Sequence, residues 1–97
     1  MSKADVTQLN AQLIVSGVLD FETVPVLSRQ SAKLFKDKNS IIVNLEKVNN
    51  ANSAGLALLV SWARLAKEQK IKISFINIPS QLRALIKVCR LESVLNI

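Results

Sequence analysis

Apolar and polar positions along the chain change period several times, and each change marks an element. Val6 to Leu9 and Gln12 to Ser16 alternate in part, with Asn10-Ala11 between them, which predicts a β-hairpin. Leu13, Val15 and Val18 are expected to face inward, and Gly17 to let the backbone bend. Val24, Leu27, Ser31, Leu34 and Phe35 then recur at helical spacing and predict a helix over 23–36. Asp20 or Thr23 is its expected cap, and Pro25 sits early, where a missing N–H does little harm. After the polar break Lys38-Asn39-Ser40, Ile41-Ile42-Val43 is β-branched throughout. That suits a central strand buried on both faces and ending near Asn44-Leu45.

A long helix is expected from Ser53 or Ala54 to about Lys70. Residues 70–76 alternate and read as a further strand, parallel to the preceding one through a right-handed crossover. Pro79-Ser80 stops that strand, and Ser80 is the expected cap of a helix whose inner face carries Leu82, Leu85, Ile86 and Cys89. The tail 91–97 is apolar enough to pack back on the domain. The order β-β-α-β-α-β-α predicts an α/β domain over 1–97, with a mixed central sheet of about four to five strands. A chain this short can hardly cover both sheet faces, so the helices are expected mainly on one.

The long helix is unusual. At roughly 100° per residue, Leu56, Leu58, Leu59, Trp62, Ala63, Leu65 and Ala66 spread over about half its circumference. A helix lying on a sheet needs an apolar stripe of only about 100°. Leu58, Trp62 and Leu65 lie at one margin of the stripe. They either pack on a neighbouring helix or, for Leu58 and Trp62, form a docking patch beside Ser53; the pattern leaves both open. The junction before this helix, Asn50 to Ser53, is small and polar. Asn52 or Ser53 can cap the helix by accepting a free backbone N–H. A hydroxyl at the same place can be read by a partner, or can carry a phosphate that the helix end would stabilise.

Composition narrows the chemistry. The chain of 97 residues has no histidine, one cysteine and two glycines. His-based acid–base and metal sites, a disulfide framework and a Gly-rich phosphate loop are therefore excluded. The acidic residues are scattered through turns and helix ends, with no paired carboxylates. A catalytic role, a cofactor and a metal are not expected. The net charge is +6, but Lys33, Lys36 and Lys38, and again Lys67, Lys70 and Lys72, fall at expected helix C-termini, where cations complement the dipole. Without clustered recognition residues or aromatic pairs, nucleic acid is not an expected partner. An acidic partner or lipid headgroups stay open. No run of apolar residues is long enough to cross a membrane, and the N-terminus lacks the apolar stretch of a signal peptide. A cytoplasmic location is expected.

Asn52-Ser53-Ala54-Gly55-Leu56, after a strand and opening a helix, resembles the Asp-Ser/Thr-x-Gly-Leu signature of STAS domains, the anti-sigma-factor antagonists and their relatives. Val15-Ser16-Gly17-Val18-Leu19-Asp20 is similar to the early turn of that family. Ile41 to Leu45 with Val48 is similar to its central strand and the lead-in to the signature. Within the family, Gly55 to Leu59 and Leu65-Ala66-Lys67 resemble the MlaB-type branch, small cytoplasmic subunits of phospholipid-transport ABC complexes in Gram-negative bacteria. The resemblance implies the STAS fold and a regulatory, non-catalytic binding module. For the MlaB-type branch it implies docking on an MlaF-like ABC-transporter ATPase, at the inner membrane through that partner and without direct membrane insertion. The implied contact residues are Asn52, Ser53, Ala54, Gly55 and Leu56, with Leu58 and Trp62 beside them; Gly55 would let the partner's backbone approach. The alternative it implies is an anti-sigma factor antagonist, phosphorylated at Ser53 by an anti-sigma serine kinase. Asn52 departs from the family's Asp, keeping the capping geometry while losing the charge. Self-association through the Trp62 margin is a third possibility, outside the resemblance.

Overall fold

The computed structural model of the protein describes residues 3–97; Met1 and Ser2, at the start of the polar lead-in, lie outside them. Strands β1 (Ala4–Leu9) and β2 (Gln12–Leu19) form the expected antiparallel hairpin about Asn10-Ala11. Helix α1 (Val24–Ala32) follows and tightens into a 3-10 turn, Lys33–Phe35. Then come β3 (Ser40–Ala51), α2 (Ser53–Glu68), β4 (Lys72–Ile76) and α3 (Ser80–Val88). The sheet order is β1-β2-β3-β4, with β2, β3 and β4 parallel. Helical crossovers return each parallel strand to the same side.

The inner sheet face is carried by Val6, Leu13, Val15, Leu19, Ile41, Val43, Leu45, Ile73 and Phe75, all buried. The opposite face keeps Asp5, Thr7, Lys72 and Ser74 exposed and Ile14 and Ile42 half-buried. Ile41 to Val43 is therefore buried on one face rather than two, because the helices cover only one. Leu19, not Val18, completes the inward set of β2. Gly17 adopts φ +93°, and a Cβ there would collide with the Lys3 carbonyl oxygen. Only a glycine tolerates both conditions.

β3 runs well past the expected end. Its register against β2 steps from Ile14↔Asn44 to Ser16↔Lys47, and from Gly17↔Val48 to Val18↔Asn50. Each step puts one extra residue on β3, the definition of a bulge. Burial accordingly falls on Leu45, Val48 and Ala51, at a spacing of three instead of two. The alternation that marks a strand is lost there although the pairing continues.

α2 packs against α1, α3, β3 and β4. A central helix with neighbours on both flanks buries more than one stripe, which accounts for its wide apolar arc. The last turns depart from expectation in two places. Ser80 is the first residue of α3 rather than its cap, with extended Pro79 before it. Cys89 ends the helix exposed, not in the core. The inner face of α3 is closed instead by Leu82 and Ile86, and the tail packs back through buried Leu95.

Candidate functional site

The two bulges deliver the end of β3 opposite the end of β2, where Leu19 pairs with Ala51 and the Asn52 N–H donates to the Leu19 carbonyl at 3.1 Å. The strand thus passes into α2 across a single residue. Asn52 is that residue, with φ −112° and ψ −163°, and its Oδ1 accepts the Ala54 N–H at 2.8 Å. The Gly55 N–H donates to its carbonyl at 3.0 Å. Of the two candidate caps, Asn52 is the cap, and Ser53 is left free. The Ser53 side chain is exposed and makes no hydrogen bond to the described residues. It stands in the first turn of a helix with no acidic residue there, so its hydroxyl lies in the positive field at the start of the helix dipole.

Two neighbouring segments hold this junction. Gln81, in the first turn of α3, accepts the Ala51 N–H through Oε1 at 3.2 Å. On the other side, Asp20 and Thr23 tie up the turn between β2 and α1. Asp20 Oδ1 accepts the N–H groups of Glu22 and Thr23, both at 2.9 Å. Thr23 Oγ1 accepts the Asp20 N–H at 3.0 Å and donates to the Val18 carbonyl at 2.7 Å. Asp20 therefore organises the turn, while Thr23 occupies the capping position without a capping bond to α1. The Thr23 N–H, followed by the lesser help of Glu22 and Lys3, holds the Asp20 carboxyl below its usual value.

The turn carries Phe21 at its apex, 73% exposed. Phe21 lies two residues beyond Leu19, and Ser53 two beyond Ala51, its partner in the register. The end of the sheet where β2 and β3 finish therefore carries both an exposed aromatic ring and a free hydroxyl. Phe21 is not among the site residues expected from the sequence. The signal was present, since a large apolar residue between polar turn-forming neighbours has no packing role in the turn.

Other expected site residues fall elsewhere. Leu58 and Trp62 are buried, at 1% and 2% exposure. The Trp62 ring lies 6.3 Å from that of Phe35, and its indole N–H donates to Ser31 Oγ at 2.7 Å. The margin they form is thus covered by α1 and its following turn, which corrects the reading of an open docking patch and removes the surface for self-association. Ala54 and Leu56 are buried as well. Gly55 serves internal packing: a Cβ would stand 3.1 Å from Leu19 Cβ and 3.3 Å from Ala51 Cβ. Its missing side chain lets α2 approach the ends of β2 and β3, not a partner. Of the expected contact residues, Asn52 and Ser53 remain at the surface.

The described residues contain no cluster of candidate metal ligands and no helix long and apolar enough to cross a membrane.

The family model for the MlaB-type STAS domain matches residues 4–96. Among solved structures, a chain of the Acinetobacter MlaFEDB complex in its ATP-bound state shares 33% identity, with a TM-score of 0.80 over 93% of this chain and 96% of that one. An anti-sigma factor antagonist from Mycobacterium paratuberculosis shares 21% identity at a TM-score of 0.67, over 93% and 79% of the two chains. The unphosphorylated anti-sigma factor antagonist SpoIIAA shares 16% identity at 0.73, over 93% and 83%. These two share the fold. Among curated proteins, none matches the chain.

Proposed function

The chain belongs to the MlaB-type STAS family, and from that premise we propose that it is a non-catalytic subunit that docks on the ATPase of an Mla-type phospholipid-transport ABC complex. The observation that carries this reading is that exposed Ser53 and exposed Phe21 both follow directly on the paired strand ends Ala51 and Leu19, at one end of the sheet. Phe21 supplies an apolar anchor of the kind that concentrates binding energy at interfaces. Ser53 supplies a hydroxyl at the positive end of α2 for a partner's carbonyl or carboxylate. Asn52 fixes both by holding the helix start to Leu19. The similarity to a chain of the MlaFEDB complex, at 33% identity over nearly the full length of both, supports this choice of partner. Docking supports the ATPase by binding one of its states more tightly and shifting the population toward it. The domain then sits in the cytoplasm, at the inner membrane through its partner.

The second reading, an anti-sigma factor antagonist, is favoured by one feature: Ser53 is an unbonded hydroxyl at a helix N-terminus, where a phosphate would be accepted. One experiment separates the two. Tagged wild type, Ser53→Arg and Phe21→Ala are used to capture partners from native membrane and cytoplasmic extracts. Circular dichroism confirms folding; exposed changes of this kind shift stability by less than about 0.5 kcal/mol. Capture of an ABC ATPase by wild type and its loss with both variants is the expected result. Capture of a serine kinase, with Ser53 phosphate found by mass spectrometry, would replace this reading by the second.

A further inference from the structure

β4 is the terminal strand of the sheet, and no described residue pairs with its outer edge. The Lys72 N–H donates to the Asn39 carbonyl at 3.0 Å. By the alternation of a parallel ladder, Lys72, Ser74 and Ile76 turn their backbone groups toward β3, and Ile73 and Phe75 turn theirs outward. None of the described residues bonds to those outward groups. Two grooves lie against β4, the first walled also by the tail through Ser93, Val94 and Asn96, the second extending over β3. One, of about 520 Å³, opens on the helix side and carries Arg64 and Lys67. The other, of about 560 Å³, opens on the uncovered side and carries Lys72. Ile73 and Asn96 line both, so the grooves meet at the start of the strand, beside the tail. No Asp or Glu lines either groove, and the three cations join no ion pair among the described residues.

We propose that the β4 edge, flanked by Arg64 and Lys67 on one face and Lys72 on the other, docks an extended acidic segment of a partner protein as an added strand. Strand addition draws its affinity from main-chain bonds and its specificity from alternating side chains. Here the outward groups of Ile73 and Phe75 supply the bonds, and the cations select carboxylates on both faces. The same charges oppose a second copy, since edge-to-edge pairing would bring two sets of cations together; lysine on an edge strand acts against self-pairing in this way. The edge lies beside the second half of α2, about three turns from Ser53. It is a separate surface and does not depend on the docking reading above.

The test uses the full chain and a fluorescent peptide of alternating Glu and Val, followed by anisotropy and by amide hydrogen exchange. The peptide binds at low salt, slows exchange at Ile73 and Phe75, and is weakened about tenfold or more by Arg64→Glu with Lys67→Glu. Both side chains are exposed, so the variant folds. Lys33→Glu with Lys36→Glu makes the same charge change on another surface and leaves binding unchanged. The alternating Lys and Val peptide does not bind. The proposal is overturned if the acidic peptide fails to bind, or if its N-methylated form, unable to pair, binds as well as the parent. It is also overturned if phosphatidylglycerol vesicles bind through these cations and the peptide does not.

Discussion

The bond between Trp62 and Ser31 ties α2 to α1, and its removal has a calculable consequence. Ser31 Oγ is the acceptor of the buried indole N–H at 2.7 Å and itself donates to the Ser28 carbonyl at 3.1 Å. Ser31→Ala removes one atom and opens little space. The loss arises from the indole N–H, left buried without a partner, which costs about 1–3 kcal/mol. The Ser28 carbonyl, on exposed helix surface, recovers its bond from water. At about 2 kcal/mol, the melting temperature of a domain this size falls by about 8–16 °C. Trp62→Phe also destabilises, through lost volume, but leaves no donor unpaired. The two changes together should therefore cost less than their sum, with a coupling of about 0.5–3 kcal/mol. Urea unfolding followed by circular dichroism measures all corners of the cycle, since Trp62 is the sole tryptophan and fluorescence vanishes with it. Additive losses within about 0.5 kcal/mol, or an unaffected Ser31→Ala, would refute the reasoning.

Two further outcomes follow from single contacts. Gly55→Ala gains about 1 kcal/mol of helix propensity but forces a Cβ against Leu19 and Ala51, and overpacking costs about 1–3 kcal/mol. Urea unfolding should show a net loss of up to about 2 kcal/mol, and a stabilised variant would mean that the ends of β2 and β3 yield freely. Asp20 has its folded pKa lowered below 3.8. Its stabilising effect is complete above that value and is lost as the pH falls through the lower folded one. A carboxyl carbon NMR titration should place the Asp20 midpoint below 3.8, with wild type losing its advantage over Asp20→Asn only in acid.

The hairpin, the crossover through α2 and the start of α2 were legible because period and turn chemistry agree there. What escaped the sequence has specific causes. The continuation of β3 through Val48 to Ala51 was hidden by two bulges, which change the burial spacing from two to three. Periodicity cannot register a residue inserted into a ladder. The choice between Asn52 and Ser53 as cap turned on one residue of strand length, and the bulges set that length. Trp62 could be core or surface until α1 was placed, because its cover comes from Ser31 and Phe35, distant in sequence. Cys89 was misplaced for a related reason. Helical spacing put it on the inner face, but α3 ends at Val88, and one residue past the helix the face is no longer defined. Phe21 stood in plain view, yet an apolar residue in a turn acquires meaning only when it is known to share its end of the sheet with Ser53.

Asn52 brings stability and binding into one test. Its Oδ1 already accepts the Ala54 N–H, and Asp at this position would keep that bond while adding a negative charge to the helix start. A charge there is stabilising by about 0.3–1 kcal/mol at low salt and is screened as salt rises. No acidic residue of the first turn competes with it. Asn52→Asp should therefore raise the melting temperature by about 1–8 °C in low salt, with the gain shrinking in high salt. The same charge alters the surface beside Ser53. A partner group that is anionic or carbonyl-rich, drawn to the positive helix end, would then bind less well although the domain is more stable. If stability and capture of the ATPase rise together, the partner presents a cation instead. If Asn52→Asp is destabilising at low salt, Asn52 is selected for its amide nitrogen rather than its oxygen, and the account of the helix start given by the capping bond fails.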